Sequence, residues 1–397
     1  TFAAGSLVID MAQPNGQLAK AMLEPGQDFE KAFVDHAEQI AKRMDAKDFY
    51  PDPEFPEFYD ITGWSLIYCH NLPAYWCESA PEVRAAAVPA IHSPAAPTLK
   101  DSDVGYALLY SDQNDACAAF ALAADGVRMR FTSRPMRLGD MTLPKGSFLM
   151  MKGRNGADLK SKLDAAAQRW PGARFIAVPS GFPEEGANSP GGLGFGLVKK
   201  PLVGVVFGDN ASTSDFGGAW YLLEQEFGMK FVPLHKSALD DPLDRFSCIL
   251  VPPGSGAPVD KLKAFAQNGG CVIVLGSPGW AVGENRLLQL TAPPEGVKSV
   301  PGAFFLAQLD GRSFLANGYG DGKSATTPIA LQVDGRNFYK GGTGGFAAAK
   351  FDDSETKLLS GWAWPNDTEK NLKGAYGIYD QPIGSGRVIL FMWNPCE

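Results

Sequence analysis

The sequence predicts an α/β fold, and three features of its second half carry that reading. PLVGVVFG (201–208), FSCILVPPG (246–254) and CVIVLGS (271–277) are continuous apolar runs rather than alternating ones. Strands buried on both faces have that pattern. The helix-patterned segments SDFGGAWYLLEQEFG and PVDKLKAFAQNGG follow two of these runs, and MKFVPLH adds a further strand. Strand–helix–strand connections of this kind are right-handed, so the strands should lie parallel. The expected layout is a flavodoxin-like or Rossmann-like parallel sheet with helices on both faces.

Ahead of this sheet, the chain opens with a strand-like GSLVIDM. Pro14 and Asn15-Gly16 mark a turn, and Gln17 to Leu23 suit a short helix. In FEKAFVDHAEQIAKRM, Phe29, Phe33, His36, Ile40 and Met44 recur every three or four residues. They predict an amphipathic helix with His36 as a satisfied core or boundary histidine. Residues 50–100 are irregular, and Pro89, Pro94 and Pro97 mark a linker. A smaller α/β unit spans about 101–180: GYALLYS, VRMRFTS, LPKGSFLMMKG and ARFIAVPS as strands, DQNDACAAFALAADG and LKSKLDAAAQRW as helices. PEEGANSPGGLGFG then leads into the large sheet. The tail from Gly302 to Glu397 reads as β-rich, its last strand SGRVILFMW joining that sheet. The expected divisions are 1–97, 98–197 and 198–397, with smaller α+β units preceding the C-terminal sheet.

Totals narrow the function. The 397 residues carry a formal net charge of −8, which argues against a nucleic-acid partner needing a basic face. No run is long and apolar enough for a membrane span, and no signal-peptide pattern opens the chain. The first residue is Thr, so the chain is expected to be a piece of a longer protein. None of the six cysteines forms a CxxC pair. Cys248 and Cys271 sit inside strand-like runs and read as buried small hydrophobes. Cys69 and Cys77, eight apart in YCHNLPAYWC, are candidates for a local disulfide if the protein is exported.

VIVLGSPGW (272–280) runs a strand into a tight turn, as α/β enzymes do to present a nucleophile. Ser277, Pro278 and Gly279 would form that elbow. It is degenerate on two counts. The oxyanion hole uses the backbone N–H that follows the nucleophile, and Pro278 has none. The general base is usually a later His, and the last one, His235, precedes the turn. The strand ends still define a crevice where α/β sheets bind ligands, with Gly208, Asp209, Gly254 and Ser277 as candidates. His36, His70, His92 and His235 make no HxxH, HExxH or HxxE pattern, so no metal is expected in this chain. GKS within NGYGDGKSATTP has the wrong spacing for a phosphate loop and reads as a turn. Trp220, Trp362 and Trp364 are candidates for an exposed aromatic surface that would bind a peptide or a glycan, against a competing core role.

Several stretches together resemble a known architecture: VIDMAQPNGQLAKAMLEP, YDITGWSL, GYALLYS, PLVGVVFG, ILVPPG, GGCVIVLG and LSGWAWPND with GSGRVILFMW. Their order is similar to the region that follows the catalytic domain in bacterial zinc-carboxypeptidase-family proteins ending in a class I glutamine-amidotransferase-like domain. The resemblance implies a non-catalytic accessory region, periplasmic or secreted, supporting folding, substrate access or partner contact. It implies zinc only in a separate N-terminal domain, and as partner either that cleaved domain or a second copy of the chain. A binding module and a hydrolase using Ser277 or a Cys are the other readings.

Overall fold

The computed structural model describes residues 2–3, 5–26, 29–43, 63, 65–79, 81–83, 86–88, 98–138, 141–182, 192, 194–208, 210–276, 278–320, 324–364 and 366–396. Asp209, Ser277, His92, the proline-marked linker and most of the 183–193 connector lie outside them.

Three helices open the chain: α1 (Gly16–Leu23), α2 (Lys31–Arg43) and α3 (Leu66–Cys69). Phe29, Phe33, Val34 and Ala37 pack on Trp362 and Trp364. His36 lies on the exposed side of α2 instead of its packed face. One position along, Ala37 takes the buried place, because a bulky ring there would hold the helix off the tryptophans.

The middle unit contains β1 (Gly105–Leu109), α4 (Gln113–Ala124), β2 (Arg130–Thr132), β3 (Met136–Leu138), β4 (Met141–Leu143) and β5 (Phe148–Met151), then α5 (Leu159–Arg169), β6 (Arg174–Val178) and β7 (Phe195–Leu197). Strands β3 and β4 make a separate antiparallel pair. The main sheet runs β6-β1-β5-β2-β7 with every pairing antiparallel. Apolar residues of α4 and α5 cover one face through Cys117, Leu122, Leu159 and Leu163, against Tyr106, Leu108 and Met150. The unit is therefore α+β rather than α/β.

The last unit contains β8 (Val203–Phe207), α6 (Thr213–Trp220), β9 (Val232–His235), β10 (Cys248–Val251), α7 (Val259–Gln267), β11 (Cys271–Leu275), β12 (Val300–Asp310) and β13 (Thr326–Gly335). β14 (Phe346–Lys350), β15 (Leu358–Gly361), α8 (Thr368–Leu372), β16 (Tyr376–Ile383) and β17 (Gly386–Phe391) complete it. A ten-stranded sheet runs β13-β12-β14-β16-β17-β11-β10-β8-β9, with β15 paired to β12. The pairings from β9 to β17 are parallel. Those from β17 to β13 are antiparallel. The sheet is thus mixed, and the expectation of a parallel sheet describes only half of it. Helices do cover both faces of that half: Ala219 of α6 joins Val203, Val205 and Leu250 on one side. On the other, Leu262, Phe265 and Ala266 of α7 pack with Ile249, Val272, Val388 and Leu390.

Helix α6 passes directly into a π-helical turn, Tyr221–Glu226. Such turns are uncommon and often sit at functional positions. Here the turn meets the middle unit: Trp170 Nε1 donates to Glu226 O at 3.1 Å, and the Phe120 and Phe227 rings stack at 5.6 Å. A second contact ties the units together. Lys145 Nζ donates to the carbonyls of Gly311, Arg312 and Ser313 at 2.9, 3.2 and 3.2 Å.

Strand β17 reaches its seat between β11 and β16 only because residue 386 is glycine. A Cβ there would run into the carbonyls of Gly270 and Ala266. Both are backbone atoms that cannot turn aside. Gly386→Ala should therefore destabilise the chain by about 2–3 kcal/mol, as overpacking does. A urea-unfolding midpoint equal to wild type would contradict this placement of β17.

Candidate functional site

The parallel strands end together at one edge of the sheet, and that edge holds the predicted crevice. β8 runs into Gly208, β10 into Pro252-Pro253-Gly254 and β11 into Gly276. The structure thus brings Gly208 and Gly254 to one place, while Asp209 and Ser277 lie outside the described residues.

The chain's own atoms fill much of this crevice. Gly254 has φ +72°, and a Cβ on it would meet the Asn210 carbonyl. Ser212 N donates to Pro253 O at 3.2 Å, bridging the ends of β8 and β10. Ser255 is buried, and its hydroxyl donates to Pro252 O at 2.7 Å. Gly276 N donates to Phe391 O and Trp393 O at 3.0 and 3.2 Å.

The polar centre of the edge was not singled out as a site from the sequence. Ser212 caps α6, accepting from Asp215 N at 3.3 Å. The Asp215 carboxylate is buried, and its Oδ1 accepts from Asn394 Nδ2. Asn394, also buried, uses its Oδ1 to accept from Cys396 N at 3.0 Å. This chain of bonds lays the C-terminal turn on α6, where a Cβ on Gly218 would touch Cys396 O. Residues 179 apart meet here, so no local spacing could have announced the pair.

Pro278 is buried and starts a single 3-10 turn, Pro278–Trp280, with Ala281 N donating to its carbonyl at 2.8 Å. His235 ends β9, three strands from β11. At one strand spacing each, that is about 14 Å. Its Nδ1 is in hydrogen-bond contact with Ser237 Oγ at 2.8 Å, and its ring lies edge-on to Phe207. Among the described residues, no group of three or more His, Cys, Asp or Glu side chains is placed to hold a metal ion.

Other candidates fall elsewhere. Cys69 and Cys77 are both exposed and carry free thiols in this structure. Trp362 and Trp364 are core residues under α2 rather than a binding surface. Trp220 and Tyr221 are exposed, at 47% and 60%, beside Phe216 and Phe231. After the Gly-Lys-Ser turn comes a strand, β13, rather than the helix of a phosphate loop. A shallow polar cavity of about 320 Å³ lies on the middle unit, lined by Arg128, Arg154, Asn155, Asp158 and Lys162. Asp125 and Asp158 hold the Lys162 ammonium at 3.1 and 3.2 Å.

At the opposite end of the parallel strands, Cys248 and Cys271 are half-buried register partners on β10 and β11. As expected of small hydrophobes they pack against apolar clusters, but each keeps part of its surface exposed. Next along the row, Arg387 of β17 pairs with Cys271 in register and donates from Nη1 to Asp380 Oδ2 at 2.9 Å. Burial raises the Asp380 carboxyl above its ordinary value, and Arg387 opposes the shift.

No helix among the described residues is long and apolar enough to cross a membrane. No family model and no curated protein matches the chain. Solved structures similar to part of it include a beta-galactosidase from Bacillus circulans sp. alkalophilus, at TM-score 0.26 and 9% identity over 49% of this chain and 28% of that one. Cytoplasmic Protein STM3548 from Salmonella typhimurium gives TM-score 0.25 and 9% identity over 49% and 87%. Exo-beta-1,4-mannosidase Op5Man5 from Opitutaceae bacterium strain TAV5 gives 0.27 and 13% over 49% and 31%. The chain spans 28% and 31% of the length of these two glycosidases. Likenesses at these scores carry no argument about function.

The Asp215–Asn394 contact makes a direct prediction. Asp215→Ala leaves a buried amide without its acceptor and should cost about 1–3 kcal/mol. Asp215→Asn keeps an acceptor and should cost less. Equal urea midpoints for Asp215→Ala and wild type would show that the pair does not anchor the C-terminal turn.

Proposed function

We propose that this chain is a non-catalytic accessory region of a zinc-carboxypeptidase-like protein. Its last unit serves as a class I glutamine-amidotransferase-like scaffold for folding, substrate access or partner contact. The observation that carries this reading is the end of β11. There a buried proline, Pro278, stands where an elbow needs a backbone donor, and the nearest later base is missing from the sequence. The parallel half supports the fold part of the reading. Numbered from β8, its order is 2-1-3-4-5, the flavodoxin-like order. The resemblance assigns zinc to a separate catalytic domain. The partner is that domain or a second copy of this chain, and the compartment is periplasmic or secreted.

A second reading rests on Trp220 and Tyr221. The exposed Trp220 ring, edge-on to Phe216 and Phe231, with the exposed Tyr221 next in sequence, offers aromatic surface of the kind that binds a peptide or a glycan.

Wild type and Ser277→Ala should be assayed side by side on a chromogenic ester, glutamine and a peptide with a free C-terminus. The accessory reading expects the same background rate from both. A wild-type activity that falls about tenfold or more in Ser277→Ala would make the chain a serine hydrolase, since loss of a nucleophile costs at least that much.

A further inference from the structure

Two strands that run side by side in a parallel sheet bring register partners to one spacing. Cys248 opens β10 and Cys271 opens β11, and the two are Cα partners. Adjacent strands lie about 4.8 Å apart, inside the roughly 4.4–6.8 Å over which a disulfide closes and near its short end. Both side chains lie on the same face, because register partners share the pleat. Both are partly buried, Cys248 against the Val203–Leu250 cluster and Cys271 against the core of the antiparallel half. Arg387 sits next in the row, its guanidinium over the Phe314 ring at 4.7 Å. The Arg387–Asp380 ion pair stands beside Cys271 on β17 and not beside Cys248, which makes the two thiols unequal.

We propose that Cys248 and Cys271 are a reversible redox pair: hydrogen peroxide oxidises Cys271, and Cys248 resolves it to an interstrand disulfide. The neighbouring Cys248 thiol and, to a smaller extent, Arg387 hold the Cys271 thiol below its ordinary value, while burial and Asp380 oppose. The same contact, together with burial, keeps the proton on Cys248. The Cys271 thiolate attacks one peroxide oxygen. The O–O bond breaks, hydroxide leaves, and Cys271 becomes a sulfenic acid. Cys248 sulfur then attacks Cys271 sulfur. The S–S bond forms as the S–O bond breaks, and the departing hydroxide takes the Cys248 proton as water. In sum, two thiols and one peroxide give one disulfide and two waters. The thiol sulfurs lose two electrons and the peroxide gains them.

The product would join the two ends of the β10–α7–β11 crossover, whose far ends carry Gly254 and Gly276. A bridge between partly exposed thiols on the sheet face is open to reduction by a small thiol. That marks a switch rather than a permanent staple.

The test uses the full chain, treated with hydrogen peroxide, alkylated, digested and mapped by mass spectrometry. The expected product is a Cys248–Cys271 cross-linked peptide that dithiothreitol releases. In Cys248→Ser, dimedone should label Cys271. Arg387→Gln should slow cross-linking roughly threefold, and Arg387→Lys should restore much of the rate, because thiolate fraction and nucleophilicity partly offset each other. Circular dichroism on each variant verifies that it is folded. A folded wild type in which both thiols remain alkylatable after peroxide, or in which dimedone labels residue 248 in Cys271→Ser while residue 271 is unreactive in Cys248→Ser, would overturn the proposal.

Discussion

The two-sided pairing of β17 is the constraint on which the last unit depends. One edge of this strand pairs in parallel with β11, and the other pairs antiparallel with β16. Without it the parallel half and the antiparallel half would be two sheets with exposed edges, a liability for any chain. Its side chains serve both faces. Val388 and Leu390 enter the core under α7, and Ile389 enters the core of the antiparallel half. A one-residue slip would exchange these faces and put Arg387 where an aliphatic side chain belongs. Gly386 allows the close approach, and the Arg387–Asp380 ion pair fixes the register from the side.

The same strand delivers the polar centre of the sheet's C-terminal edge. Asn394 follows β17 by three residues and reaches Asp215 at the start of α6. In an α/β enzyme this edge is left open for a ligand. Here backbone contacts at Gly254 and a buried amide–carboxylate pair lie along its described part.

What the sequence revealed follows from what its patterns encode. Continuous apolar runs at 201–208, 246–254 and 271–277 announced buried strands, and those strands lie parallel. The rest of the ten-stranded sheet was read only as β-rich, because alternation within β12 or β13 cannot tell which neighbour a strand will choose. The helical period placed α2 correctly but drew His36 to its packed face, since a histidine and an alanine one step apart fit the period almost equally well. Gly208 and Gly254 were legible as strand-end turns. Asp215–Asn394 and Cys248–Cys271 were not, because both arise from register between distant segments, which no local motif records. The aromatic pair Trp362 and Trp364 could be read either as surface or as core. Only the docking of α2 decides for core.

Native mass spectrometry of the protein as isolated from its source tests the accessory role most directly. If the chain is the retained partner of a zinc-carboxypeptidase-like catalytic domain, the main species will be heavier than 42.5 kDa. It will contain a second polypeptide and zinc. A single metal-free species at 42.5 kDa would contradict the accessory role and shift the reading to a free-standing binding module.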